Sequence, residues 1–180
     1  MNTTNNNTDI DTSVVYNNIA KEFSNSRSYK WEWVTKFIEE IQIETSSKSN
    51  IKSSTDNKNS QAQNLKNIGI LDIGCGGGRN IKAYSSNNVK ITGIDNSKEF
   101  IKICIEECLP ALMGNMTSLP FADESFDHIL SIASFHHLSM EHSRIKALKE
   151  MARVLKPNGR VLMSVWSKNQ PKKTKRTLIC

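Results

Sequence analysis

Ile68-Gly69-Ile70-Leu71-Asp72-Ile73-Gly74-Cys75-Gly76-Gly77-Gly78-Arg79 is the stretch whose reading decides the fold. The apolar run Ile68 to Ile73 reads as a buried strand, and the glycines at 74, 76, 77 and 78 force a tight turn into a helix. A missing Cβ permits positive φ and lets backbone N–H groups approach a ligand closely. Strand, turn and helix therefore predict a small-molecule cradle. The alternative is a glycine turn with capping acids and no ligand.

The identity of that ligand follows from the side chains around the turn. A dinucleotide fingerprint, Gly-x-Gly-x-x-Gly, would need a glycine at the position that Arg79 holds. Asp72, just before the turn, would repel a pyrophosphate but attract an ammonium or a sulfonium. S-adenosylmethionine carries both cations. Asp95 closes the next apolar run, Val89 to Ile94. It stands about twenty residues past Gly74, the spacing at which a strand-end carboxylate reaches ribose hydroxyls.

With 180 residues and 37% hydrophobic content, the chain predicts one domain of ordinary size. Asn2 to Asn7 and Glu44 to Asn67 are too polar to contribute to a core. No apolar run is long enough to cross a bilayer, and the Asn/Thr-rich start lacks the basic-then-apolar order of a secretory signal. The expectation is a cytoplasmic protein, with a nuclear pool also open. Cys75, Cys104, Cys108 and Cys180 have no Cys-x-x-Cys spacing, which suits free thiols in a reducing compartment and suggests no metal site. Cys104 and Cys108 are expected to share one helix face. The net charge of +6 is concentrated in Lys168, Lys172, Lys173, Lys175 and Arg176, leaving the body nearly neutral. That basic tail reads as a solvated terminus, a localisation signal or a phosphate contact.

Taken in order, residues 1–11 are polar and expected to be disordered. Residues 12–43 predict two amphipathic helices: apolar groups recur at 15, 16, 19, 20 and 23, then at 31, 34, 37, 38 and 41, with Trp33 off the second stripe. They would form a flap over the cradle or simply pack. Residues 44–67 read as a low-complexity insertion, 68–167 as the core and 168–180 as the tail. Within the core, Val89 to Ile94, Pro110 to Met113, Ser125 to Ile132 and Arg160 to Trp166 read as strands. Helices are expected from Lys98 to Cys108, capped by Ser97, and from Glu141 to Leu155, stopped by Pro157-Asn158-Gly159. Alternating strands and helices imply an α/β doubly wound, mostly parallel sheet, whose ligands lie beyond the carboxyl ends of the strands. That rule gathers Asp72, Gly74, Asp95, Asn115, Ser131 to His137 and Trp166 on one rim.

Asn115 can face an adenine, its amide accepting from an exocyclic amine and donating to a ring nitrogen, or it can serve a turn after Gly114. Adjacent His136 and His137 in an extended segment would point to opposite sides, which argues against a shared metal. One would hydrogen-bond substrate or backbone while the other packs. Arg27 by itself reads as a solvated turn arginine.

Leu71-Asp72-Ile73-Gly74-Cys75-Gly76-Gly77-Gly78, Asp95, Leu119-Pro120-Phe121, Phe126-Asp127 and Val154-Leu155-Lys156-Pro157-Asn158-Gly159 resemble class I S-adenosylmethionine-dependent methyltransferases. Val15 to Arg27, Ser131 to His137 and Val165-Trp166 followed by Gln170 narrow the resemblance. They are similar to the eukaryotic tRNA methyltransferases that esterify the carboxymethyl group of wobble uridine, including the methyltransferase part of AlkB-homologue-8 proteins. The resemblance implies a Rossmann-like sheet with S-adenosylmethionine as cofactor. It implies that Asp72, Gly74, Cys75, Gly76, Asp95, Asn96, Asn115, Met116 and Ser131 hold the cofactor, and that Arg27, His136 and His137 face the tRNA. A small zinc-binding activator protein is the implied partner, and no membrane is involved. Glu22, Lys30, Glu32 and Asn115 depart from the family pattern, and the family's C-terminal antiparallel strand pair is not recognised before Cys180. A small-molecule methyltransferase and a catalytically silent cofactor- or partner-binding domain are the rival readings.

Overall fold

A computed structural model describes residues 12–25, 30–52 and 67–167. The expectations about the polar start, Arg27, most of the polar insertion, the basic tail and Cys180 lie outside the described residues. The apolar run before the glycine turn is strand β1 (Ile68–Ile73), and it forms the centre of a parallel sheet. Its partners are β2 (Val89–Asp95), β3 (Ala111–Met113), β4 (Phe126–Ile132) and β5 (Leu155–Ser164), in the order β3-β2-β1-β4-β5. All four pairings are parallel, with Ile70 opposite both Ile91 and His128. The chain winds outward from β1 to β3 and returns to β4 on the other side. That reversal leaves a crevice at the carboxyl end of β1.

Side-chain alternation divides the core into two faces. Ile68 and Ile70 join Val89, Ile91, Leu130 and Ile132 beneath α2 (Glu32–Lys52) and α3 (Arg79–Tyr84). Leu71, Ile73, Ile94 and Ile129 face the other way, against Met151 and Val154 of α5 (Glu141–Val154). The stripe read from the sequence is the buried face of α2: Val34, Phe37, Ile38 and Ile41 enter the first cluster, while Trp33 is 36% exposed. α1 (Ser13–Asn25) packs against α4 (Lys98–Glu106). Ser97 caps α4 as expected, its hydroxyl accepting from the Phe100 N–H at 3.4 Å. The same hydroxyl donates to Asn17 Oδ1 at 2.7 Å and so fastens α1 to the core.

Three boundaries differ from the expectations. α2 continues through Lys52, into the segment read as insertion. Thr45, Ser46 and Ser47 satisfy their hydroxyls on the carbonyls of Ile41, Gln42 and Ile43, and Arg160 reaches back to Glu40 and Glu44 at 3.0 and 2.8 Å. The back-bonds satisfy the hydroxyls without favouring the helix, and the two contacts from Arg160 are what tie this stretch to β5. Secondly, α4 ends at Glu106 and Cys108 takes φ 54, so Cys104 is buried while Cys108 is exposed, and the two do not share a helix face. Thirdly, sheet pairing resumes at Leu155 directly after α5, and Pro157-Asn158-Gly159 lies inside β5. A register break between Phe126 and His128 absorbs the extra residues, with Asn158 at φ 65. Trp166 consequently lies beyond β5, whose last residue is Ser164.

Because Ile41 is 0% exposed and Ile43 is 66% exposed on the same helix, they separate packing from propensity. Ile41→Ala is expected to lower unfolding free energy by roughly 2–5 kcal/mol. Ile43→Ala should stay within about 0.5 kcal/mol of the parent. Urea unfolding curves measure both, and equal effects would mean that α2 is an appendage rather than a layer of the core.

Candidate functional site

The glycine turn follows β1 and is pinned before any ligand arrives. Gly74 and Cys75 donate their N–H groups to the Ile94 carbonyl at 2.8 and 3.1 Å. Gly74 has φ +76, and a Cβ there would stand 2.2 Å from the Ser134 Cβ, so both conformation and space require glycine. At Gly77 a Cβ would meet Ser24 Oγ at 2.2 Å, which shows how closely α1 lies over the turn.

Asp95 completes the pinning. Its Oδ2 accepts the Gly76 N–H at 2.8 Å and its Oδ1 accepts the Ser97 N–H at 2.9 Å. Burial raises its pKa, opposed by the backbone donors of Ser97, Gly76 and Asn96. Asp72 continues the Ile68 and Ile70 face of β1 and is wholly buried, with Oδ2 accepting from Asn80 Nδ2 at 3.1 Å. Burial above all, with a smaller push from Asp95, raises its carboxyl to about 7 against the Asn80 hydrogen bond and the Arg79 charge. Asp72 Oδ1 and Asn80 Oδ1 are buried acceptors without a hydrogen-bond partner. The Cys75 thiol is pushed well up by its hydrogen bond with Cys104 and by burial, so it stays neutral.

These groups surround a cavity of about 500 Å³. Its floor is Gly74 to Gly77, one wall is Asp95 and Asn96, and another is Gly114 to Thr117. α1 closes it with Tyr16, Phe23 and Ser24, while Ser134, His137 and Leu138 form the far end. Of the residues expected to hold the cofactor, Gly74, Cys75, Gly76, Asp95, Asn96, Asn115 and Met116 line this space. Asp72 lies below the turn. Ser131 is buried behind the wall, 3.0 Å from the Ser134 hydroxyl, which itself donates to the Ile73 carbonyl at 2.7 Å. Asn115 serves the turn: Oδ1 accepts from Thr117 N–H and Oγ1 at 2.9 and 3.0 Å, and the residue lies on the cavity wall.

The histidines depart from expectation. Phe135–His137 is a 3-10 turn, so the two rings do not diverge as they would in an extended segment; their centroids are 4.3 Å apart. His137 Nε2 hydrogen-bonds the Tyr16 hydroxyl at 2.8 Å, and His136 packs on Trp166. Burial lowers both pKa values, and with the charge of His137 it brings His136 to about 4. Both rings are therefore neutral at pH 7. Among the described residues, no group of three or more His, Cys, Asp or Glu side chains is arranged to hold a metal ion. Ser134 falls within the rim segment expected from the sequence, whereas Tyr16, Phe23 and Phe100 are among the wall residues that were not singled out there. Tyr16 and Phe23 stood on the apolar stripe of α1, but periodicity cannot tell a stripe that packs from one that roofs a cavity.

A parallel sheet with a glycine turn, a strand-end carboxylate and a cavity at its switch point defines a Rossmann-like small-molecule transferase or oxidoreductase site. Residues 71–163 match the model of the methyltransferase-domain family. The chain belongs to that family, whose cofactor is S-adenosylmethionine. It is 35% identical over 156 residues to the tRNA (carboxymethyluridine(34)-5-O)-methyltransferase of Arabidopsis thaliana, covering 87% of this chain and 32% of that protein. A crystal structure of a SAM-dependent methyltransferase from Aquifex aeolicus superposes with TM-score 0.52 at 25% identity, covering 60% of this chain and 62% of that one. A complex of the Haloferax volcanii Trm112 methyltransferase activator with a methyltransferase gives 0.50 at 22% identity, over 80% and 57%. The chain spans about a third or less of the length of the first curated relatives it matches.

Asn80, which lines the cavity with its Oδ1 unpartnered, fits a ligand that brings an N–H donor, and the buried Asp72 beneath it fits one that brings positive charge, as S-adenosylmethionine does. With the Asp72 carboxyl at about 7, a cation binding beside it favours the carboxylate, so binding expels a proton at pH below that value. Affinity for S-adenosylmethionine, measured by calorimetry, should rise with pH through 7 with a limiting slope of about tenfold per unit. Asp72→Asn should bind more weakly and lose that slope; a rising slope that persists in the variant belongs to another acidic group and removes the assignment, since deprotonation of the ligand's own ammonium would make affinity fall with pH.

Proposed function

We propose that the chain transfers a methyl group from S-adenosylmethionine to the carboxymethyl group of 5-carboxymethyluridine at the tRNA wobble position. The observation that carries the reading is the similarity to the Arabidopsis enzyme over 156 residues, well beyond the matched segment 71–163. The chemistry of the far end of the cavity supports it. S-adenosylmethionine supplies an electrophilic methyl on a cationic sulfur. A carboxymethyl acceptor is ionised at neutral pH, so no side chain has to take its proton. His136 and His137, both held neutral by burial, need only shape the acceptor side. Orientation and exclusion of water then provide the rate. Gly74 to Gly77, Asp95, Asn96, Asn115 and Met116 hold the cofactor, Asp72 supplies negative potential from below, and Tyr16 on α1 closes the roof against His137. Arg27, outside the described residues, is the cation that the resemblance implies for the acceptor carboxylate.

A small zinc-binding activator is proposed as partner. The likeness to the Haloferax complex supports it, as does the apolar β3 side of the sheet, where Met113 is 62% and Ile105 of α4 is 65% exposed. Apolar surface of that kind is stabilised by a covering protein.

The test is transfer of labelled methyl to tRNA lacking the wobble ester, with and without the activator. Base-labile label that increases with the activator is expected, and Arg27→Ala should reduce turnover by about tenfold or more, the loss of one charge-assisted pair. Label on a quinone or lipid acceptor with indifference to tRNA would establish the small-molecule reading. Cofactor binding without transfer to any acceptor would establish a silent domain.

A further inference from the structure

Four rings form an unbroken column from the cavity to the surface. Tyr16 lies 5.3 Å from His137, His137 lies 4.3 Å from His136, and His136 lies 5.4 Å from Trp166 at an interplanar angle of 31°. At the inner end Tyr16 rests on Phe23 and Phe100, each with ring centroid 5.8 Å away. Tyr16 and His137 are also tied by their hydrogen bond, so the column is braced below its outer members. At the outer end the Trp166 indole is 41% exposed, just beyond the carboxyl end of β5. It belongs to neither apolar core cluster.

We infer that Trp166, backed by His136, is the surface on which a planar base of the RNA acceptor stacks, making Trp166 a specificity-determining residue for a nucleobase-bearing substrate. This rests on the RNA acceptor proposed above. The position is the carboxyl rim of the sheet, where the acceptor must approach the cofactor cavity. The chemistry is that of a neutral aromatic plane: the buried His136 Nδ1 has no hydrogen-bond partner, and burial keeps the ring uncharged near neutrality. Such a plane suits a base rather than a phosphate. Stacking on an aromatic side chain is tolerant of base identity but requires a base.

The test measures affinity of the protein, with activator and S-adenosylmethionine present, for a fluorescent anticodon stem-loop containing 5-carboxymethyluridine. Trp166→Ala is expected to weaken binding by about five- to a hundredfold, the range for loss of one stacked base. Trp166→Phe should restore most of the loss, and both variants should keep parental affinity for S-adenosylmethionine. Replacing loop nucleotides one at a time by abasic residues should identify one position at which wild type and Trp166→Ala bind equally. Several outcomes overturn the inference: an alanine variant that binds as well as wild type, a phenylalanine variant that fails to rescue, or a loss that persists with every abasic RNA. Wild-type protein that binds S-adenosylmethionine but ignores the stem-loop overturns the RNA acceptor itself, which is a different failure and is read from the parent alone.

Discussion

The carboxylate of Asp95 is the constraint on which the rest of the site depends. It accepts the Gly76 N–H at 2.8 Å and the Ser97 N–H at 2.9 Å, so the end of β2 holds both the glycine turn and the start of α4. Ser97 then passes the connection to α1 through its 2.7 Å hydrogen bond to Asn17, whose Oδ1 also accepts the Glu99 N–H at 3.3 Å. Floor, wall and roof of the cavity thus share one buried charge. Hydrogen bonds to an ionised group contribute about 1.5–3 kcal/mol each. Here they oppose a burial cost that raises the pKa of the same carboxyl. Loss of that charge would release the turn as well as remove a ligand contact, so Asp95 cannot be assigned to binding alone.

Asp72 carries the same tension with less compensation. Its folded pKa of about 7 lies above the ordinary 3.8. Its contribution to stability is therefore fully present below the unfolded value and is lost as pH rises through the folded one. His136 has the opposite sign, since its folded pKa of about 4 lies below 6.5. Its contribution is present above the unfolded value and is lost as pH falls toward the folded one. The two slopes oppose each other across much of the same window. A flat stability profile between them would conceal two ionisations in different places, Asp72 beneath the glycine turn and His136 against Trp166.

The fold was legible because its signals are local. Ile68 to Ile73, the glycines after it, Ser97 as a cap and the α2 stripe at 34, 37, 38 and 41 each follow from period or turn chemistry within a few residues. The errors arise where distant partners decide. Thr45, Ser46 and Ser47 have the composition of a loop, yet α2 persists there, tied by Arg160 to the far edge of the sheet. Pro157-Asn158-Gly159 has the composition of a helix stop followed by a loop, yet Phe126 pairs with Leu155 before it and His128 with Arg160 after it. His136 and His137 were read with the period of a strand, and a 3-10 turn brings their rings together instead. The strand-end rule placed Asp72, Asp95 and Asn115 together, and of these Asp95 and Asn115 line the cavity, but the structural part each plays was not legible. Burial beneath the turn, bonds to backbone donors and closure of a local turn emerge only from the packed chain.

The position of α1 explains why the glycine-turn cavity and the His136–His137 turn cannot be treated as independent. Tyr16 forms part of the cavity roof and is also the residue that holds His137. Phe23 and Ser24 continue the roof over Gly77, and Asn17 anchors the helix at Ser97. Ala20 is buried beneath the helix, and the Tyr16 and Phe23 rings rest tilted on Phe100 of α4. A ligand that fills the cavity would meet both Tyr16 and His137 on its walls. The Tyr16 hydroxyl braces His137, whose ring meets His136, so a single tyrosine joins the roof of the cavity to the run of rings that ends at Trp166.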